Sequence, residues 1–217
     1  MDTVSSAPLA QRYATLIVVL IGVLLSVAVI SSLSRTRIDA NERAWFVAHL
    51  DALIPSNMHN NDLYTDSIEV HAPDLLGADS TTIYRARRDA TPVGAIIRSI
   101  APDGYGGPIE LLIAIDNDGR LLGVDILRHS ETQGIGDGFA PHRSHWLRDL
   151  IGHSLDNPQP KQWTIRKDGG AFEQFTGASV TPRAILKSVR QALEYYATHR
   201  EQIFLIRKAT HEPTRQP

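Results

Sequence analysis

From Tyr13 to Ser34 the chain carries no charged residue. The centre of this run is Leu16-Ile17-Val18-Val19-Leu20-Ile21-Gly22-Val23-Leu24-Leu25, and Val27, Val29, Ile30 and Leu33 continue it. A helix of about 20 residues, rising 1.5 Å per residue, spans the roughly 30 Å hydrocarbon core of a bilayer. The competing reading is a cleaved signal peptide, whose apolar region is usually only about 7–15 residues long and follows a basic start. Here the run is longer, and Arg12 is the only basic residue before it. The sequence therefore predicts an uncleaved transmembrane helix over 13–34. Its orientation is weakly signalled. Arg12 precedes the run, while Arg35, Arg37 and Arg43 follow it. Taken literally, the positive-inside rule keeps the C-terminal part in the cytoplasm, but long domains often cross regardless of charge.

The full length of 217 residues suits one ordinary domain with an appendage. The absence of cysteine excludes disulfides, thiolate zinc sites and cysteine-ligated iron–sulfur clusters. A formal net charge of −2 gives no pull toward nucleic acid, so no nucleic-acid partner is expected. The nine histidines do not form a His-Glu-x-x-His helix. There is no P-loop, no Gly-x-Gly-x-x-Gly opening a helix, and no Gly-x-Ser-x-Gly elbow. Neither a metal site nor a catalytic residue is expected.

Behind the apolar run, Asp39-Ala40-Asn41-Glu42 resembles a capping box, and Trp45, Phe46, Leu50 and Leu53 follow at near-helical spacing until Pro55. This reads as a short amphipathic helix near the membrane. With the polar linker Asn57 to Asp62 it makes a membrane-proximal segment over 35–60, ahead of a domain over 61–207. Two hairpins are predicted: Ile83–Arg87 with Val93–Ile97 through Asp89 to Pro92, and Leu111–Ile115 with Leu121–Leu127 across Asn117-Asp118-Gly119. The basic cluster Arg85-Ala86-Arg87-Arg88 reads as a solvated strand edge. A helix is expected over Ser144 to Ile151, a strand over Trp163 to Arg166, and a turn at Asp168-Gly169-Gly170. Ile185, Val189, Leu193 and Tyr196 mark a helix from Pro182 to about Arg200, and a disordered tail is expected over 208–217. The sum is an α+β domain, an antiparallel sheet with packed helices on a membrane stalk.

Two segments carry candidate chemistry. In Glu173-Gln174-Phe175-Thr176-Gly177-Ala178-Ser179-Val180-Thr181-Pro182, a hydroxyl-rich turn precedes a helix start, with Thr181 as cap and Pro182 in the first turn. The helix N-terminus favours a bound phosphate. By itself the pattern reads as a well-capped helix and nothing more, since hydroxyl-rich caps are common. Gly104-Tyr105-Gly106-Gly107-Pro108 and His129-Ser130-Glu131-Thr132-Gln133-Gly134-Ile135-Gly136 flank the second hairpin. Their glycines allow close backbone approach to a planar ligand.

The segment from Glu173 to Ser179 resembles the flavinylation motif of the FMN-binding domain family, Asp-x-x-Ser/Thr-Gly-Ala-Thr, in which the last Thr carries FMN through a phosphoester. Here Glu173 stands for the Asp and Ser179 for the acceptor Thr, with Thr176, Gly177 and Ala178 between. The stretch His129, Glu131, Thr132, Gln133, Gly134, Ile135, Gly136 is similar to His-x-Glu-Thr-Pro-Gly-Leu-Gly in the G subunit of the Rnf (Rsx) electron-transport complex. Lys167-Asp168-Gly169-Gly170 also matches. The C subunit of the sodium-pumping NADH:quinone reductase shares the domain.

The resemblance implies covalent FMN on Ser179, with Thr176 and Thr181 as lesser acceptor candidates. It implies cofactor contacts from Glu131, Thr132, Gly134, Ile135, Thr176, Gly177 and Ala178, and recognition of Glu173 by a flavin transferase. It further implies a redox subunit of an ion-translocating oxidoreductase between ferredoxin and NAD, partnered by the other membrane subunits of the complex and by lipid. The N-terminus, 1–12, would lie in the cytoplasm and the flavin domain outside the inner membrane. The alternatives are a membrane-anchored interaction or assembly protein with a degenerate or noncovalent FMN site, and the related C subunit of the sodium-pumping NADH:quinone reductase.

Overall fold

The computed structural model describes residues 9–175 and 177–205. The expectations for Thr176, for the tail 208–217 and for the first residues of the N-terminus lie outside the described residues. The chain divides into two compact units, Met1–Phe46 and Val47–Pro217.

Helix α1, Leu9–Leu53, runs without interruption through the apolar run and the segment behind it. The two helices expected from the sequence are thus one. Asp39 and Asn41 do not start a new helix, because their cap chemistry is effective only where backbone N–H groups lack partners, and a continuous helix supplies those partners. In the first unit Leu16, Val18 and Leu25 are each more than 60% exposed. Among the described residues, no helix is long and apolar enough to cross a membrane.

The second unit is α+β. Strands β1 (Ser67–Val70), β2 (Thr81–Arg88), β3 (Thr91–Ala101), β4 (Ile109–Asp116) and β5 (Leu121–Arg128) form one antiparallel sheet in sequential order. The short helix α2, Pro73–Leu76, lies between β1 and β2, and helix α3, Val180–Leu205, closes the fold.

Register explains why the strands read as almost continuous apolar runs. Ile83 pairs with Ile97, Ile97 with Ile113 and Ile113 with Val124, giving one row across the sheet. Tyr84, Ile96, Ala114 and Gly123 form the next row. Successive side chains point to opposite faces, so these rows serve two cores. The first joins the cluster of Ile185, Leu186, Val189, Leu193 and Tyr196 from α3. On the other face Leu53, at the end of α1, lies over Gly123, and His49 bonds Asp125 of β5. A sheet buried on both faces needs apolar residues on both.

Both ends of α3 have partners. Arg85 donates to the carbonyl of Ile203 at 3.2 Å, and Arg87 to that of Phe204 at 2.9 Å, meeting carbonyls that the helix end leaves free. The basic cluster is therefore not a solvated edge. Arg85 is 3% exposed and paired with Asp66; only Arg88 faces solvent. Ser188 on α3 bonds Ser99 on β3 at 2.8 Å within the core.

Both predicted hairpins form. The first turns on Asp89 and Ala90, both with positive φ, while Pro92 lies inside β3 opposite Arg87, beside a register shift. Two elements differ. Over 144–151 only the 3-10 turn Arg148–Leu150 forms. Trp163 to Arg166 is no strand; it lies between the 3-10 turns Pro160–Gln162 and Arg166–Asp168 and makes a single bridge, Ile165 to Phe172. The segment 57–62 is not a free linker. Asn60 N–H donates to Arg87 O at 2.9 Å, and Asn61 bonds the backbone of Arg85 and Arg87.

Candidate functional site

Among the described residues, the stretch from His129 to Ser179 holds no α-helix or ladder strand, yet much of it is fixed by buried side chains. Glu131, 5% exposed, is central. Its Oε1 accepts from Gly106 N–H at 3.0 Å and its Oε2 from the Thr181 hydroxyl. One carboxylate thus joins the Gly104–Gly107 loop, its own loop and the first turn of α3. A negative charge at a helix N-terminus is also favourable. The glycines permit this packing: a side chain on Gly106 would strike the Ser130 carbonyl, and one on Gly136 the Glu131 carboxylate.

Thr181 does not cap the helix as the sequence predicts. α3 already starts at Val180, so Ser179 stands immediately before it, and the Thr181 hydroxyl is turned to Glu131. Ser179 Oγ accepts from Arg183 Nη1 at 3.2 Å. Arg183 also grips Asp168 by two hydrogen bonds, one of them Nη2 to Oδ1 at 2.9 Å. This bonding holds the Asp168 carboxyl below its usual range.

The loop 132–136 closes on Thr132, whose carbonyl accepts from Ile135 and Gly136 N–H. Gly134 N–H donates to Asp137 Oδ1 at 2.8 Å, and Arg143 bonds both the Gly134 carbonyl and Asp137. On the acceptor side, Phe175 packs edge-on against Trp146 at 5.0 Å, and Trp146 Nε1 donates to the Glu173 carbonyl at 2.8 Å. Gly177 takes φ 81°, the left-handed region that favours glycine.

These loops converge on a cleft of about 390 Å³. Thr132, Ile135, Gly177, Ala178 and Ser179 line it, together with Tyr105, Gly136, Val180 and Thr181. Residues about 45 positions apart in sequence thus meet in one place. Two of the expected contacts, Glu131 and Gly134, are not among its lining residues, and neither is Glu173, expected for transferase recognition. Glu131 is behind the cleft with both oxygens engaged in the protein. Gly134 and Glu173 line a neighbouring cleft of about 360 Å³, where the exposed Glu173 carboxylate pairs with Arg166.

Sequence reasoning missed Arg183, Asp137, and the anchoring roles of Trp146 and Phe175. Arg183 had a legible signal: it stands four positions after Ser179, one helical turn. Asp137 and Trp146 had none, because their partners lie on loops with no periodicity.

The cleft fits a flavin mononucleotide in size and donor set. Ligand sites are typically about 300–1,000 Å³, mostly apolar with a few placed polar groups. Ile135, Tyr105 and Ala178 supply apolar and aromatic surface; Ser179, with Arg183 beside it at a helix start, suits a phosphate.

Comparison with known proteins agrees. Residues 104–194 match the FMN-binding domain family. The second unit thus contains an FMN-binding domain, which defines the class. The chain is 40% identical over 179 residues to the G subunit of the ion-translocating oxidoreductase complex of Shewanella baltica, covering 82% of this chain and 84% of the relative. It is 36% identical over 178 residues to the same protein of Aliivibrio fischeri, with 82% and 85% covered. For Vibrio cholerae the figures are 38% over 177 residues, with 82% and 85% covered. The chain belongs to the family formed by the G subunits of Rnf ion-translocating oxidoreductase complexes.

Proposed function

We propose that this chain is a membrane-anchored, electron-carrying subunit of an ion-translocating oxidoreductase complex, holding FMN covalently through Ser179. The observation that carries this reading is the single cleft joining Tyr105, the Thr132–Gly136 loop and the Gly177–Ser179 turn, with the Ser179 hydroxyl at the start of α3. When bound, FMN supplies the redox chemistry. The chain supplies position. Ser179 is the point of attachment, and the Thr132 hydroxyl and the backbone around Gly136 and Gly177 offer polar contacts. Tyr105 and Ile135, 73% and 53% exposed, would offer aromatic and apolar surface to the flavin ring. Glu131 keeps two loops and the first turn of α3 at the spacing the cleft needs. A covalent tether also holds the cofactor at high local concentration.

Attachment requires a separate flavin transferase, with Glu173 as part of what it recognises. The relatives' names support partnership with other subunits of such a complex. The uncharged run 13–34, with its exposed apolar side chains, supports an anchor in the bacterial inner membrane, since a large apolar patch needs a cover. The flavin domain is placed on the periplasmic side, with the N-terminus in the cytoplasm.

Full-length protein coproduced with a flavin transferase tests the attachment. Flavin fluorescence surviving SDS denaturation is expected in the native protein and absent in Ser179→Ala. Colour lost on denaturation would favour a noncovalent site. A reporter fused after Pro217 is expected to read periplasmic, and cytoplasmic activity would refute the topology.

A further inference from the structure

We propose that Arg183 is the phosphate-binding residue of the flavin site, held ready by Asp168; this rests on the reading that Ser179 carries FMN. Ser179 precedes α3 and Arg183 lies one turn into it. Side chains on a helix lean toward its N-terminus, which brings the Arg183 fork back over Ser179. Two of its donors are spent on Asp168, and Nη1 is left toward Ser179 Oγ at 3.2 Å. The planar fork suits this division, because one guanidinium can hold a carboxylate on one edge and a phosphate oxygen on another. One turn further, Lys187 is paired with Asp103, and it is Arg183 whose Nη1 reaches Ser179 Oγ.

The arrangement has an electrostatic consequence. A phosphodiester on Ser179 bears a negative charge close to the Asp168 carboxylate. Arg183 lies between them and offsets both. Without it the phosphate faces a like charge. Asp168 is then a positioning residue, and its loss leaves the cation in reach of the phosphate. The 3-10 turn Arg166–Asp168 serves both flanks of the acceptor segment, since Arg166 of the same turn holds Glu173.

The test uses full-length protein coproduced with a flavin transferase and purified in detergent. Intact mass and SDS-resistant fluorescence follow loading in native protein, S179A, R183Q, R183K and D168N. Native protein is expected to load and S179A not. R183Q is expected to load about tenfold or more slowly, the scale of a lost charged hydrogen bond. D168N, which removes the brace but leaves Arg183 in reach of the phosphate, is expected to load about two- to fivefold more slowly, the scale of an ordinary hydrogen bond and well short of R183Q. R183K, which keeps charge without the fork, falls between, and its tethered phosphodiester shows a shifted phosphorus NMR resonance. Native-like loading in R183Q would overturn the proposal, as would an unshifted resonance in R183K. Equal losses in D168N and R183Q would reduce Arg183 to a brace and overturn it too. Native protein that takes no flavin would instead overturn the FMN reading beneath it.

Discussion

The sheet with α3 and the segment 129–179 are neighbours in one unit, but they are stabilised differently. From β2 to β5 the backbone satisfies itself through ladders, and rows of Ile and Val fill the space against α3. Between Arg128 and Val180 backbone ladders give way to isolated bridges. There, single side chains determine the path: Glu131 joins three segments, Asp137 braces Gly134, and Trp146 holds Glu173. A scaffold built from many equivalent contacts tolerates the loss of one only by losing stability everywhere. A site built from a few unlike contacts loses its shape locally. Binding residues carried by loops on a rigid scaffold follow the same logic.

The largest expected effect is in the scaffold. Ile113, fully buried in the central row, should cost about 2–5 kcal/mol when changed to Ala. Thermal unfolding of the purified protein should fall by on the order of 10 °C, with the whole domain melting together. Glu131→Ala should cost less, about 1–3 kcal/mol, because Gly106 N–H loses its buried acceptor and Thr181 its partner. Hydrogen exchange should rise at Gly106 and the start of α3 while β3 and β4 remain protected. Equal loosening of the sheet would erase the contrast between the two regions.

Tyr196 gives the smallest effect. Its hydroxyl is buried in the scaffold without a hydrogen-bond partner among the described residues, and burial pushes its pKa up. The folded state thus disfavours the phenolate. Stability is full below about pH 10, where the free phenol ionises, and falls as pH rises above it. Tyr196→Phe should leave the melting temperature at pH 7 within about 2–4 °C of native or raise it, and flatten the alkaline loss. An unchanged alkaline slope would refute this account.

Much of the scaffold was legible. Asn117-Asp118-Gly119 marked one hairpin, and the spacing of Ile185, Val189, Leu193 and Tyr196 marked α3. β1 was not, since a four-residue edge strand is too short for alternation to register. Trp146, Leu147, Leu150 and Ile151 mimic a helical stripe, but a single 3-10 turn suffices to bury Leu150, and the backbone is extended by Ile151. Trp163 to Arg166 mimics a strand, but turns on either side leave no length for a ladder.

By itself the sequence determined the two hairpins, the long closing helix and the hydroxyl-bearing turn before it, because periodicity and turn chemistry act between near neighbours. Only the tertiary structure decided that Thr181 serves Glu131 and that the Thr132 loop and Ser179 share one cleft. It also decided that Arg183 is shared between Asp168 and Ser179. Apart from the four-residue step from Ser179 to Arg183, these pairings depend on long-range closure of loops whose residues carry no local pattern, so spacing in the chain does not encode them.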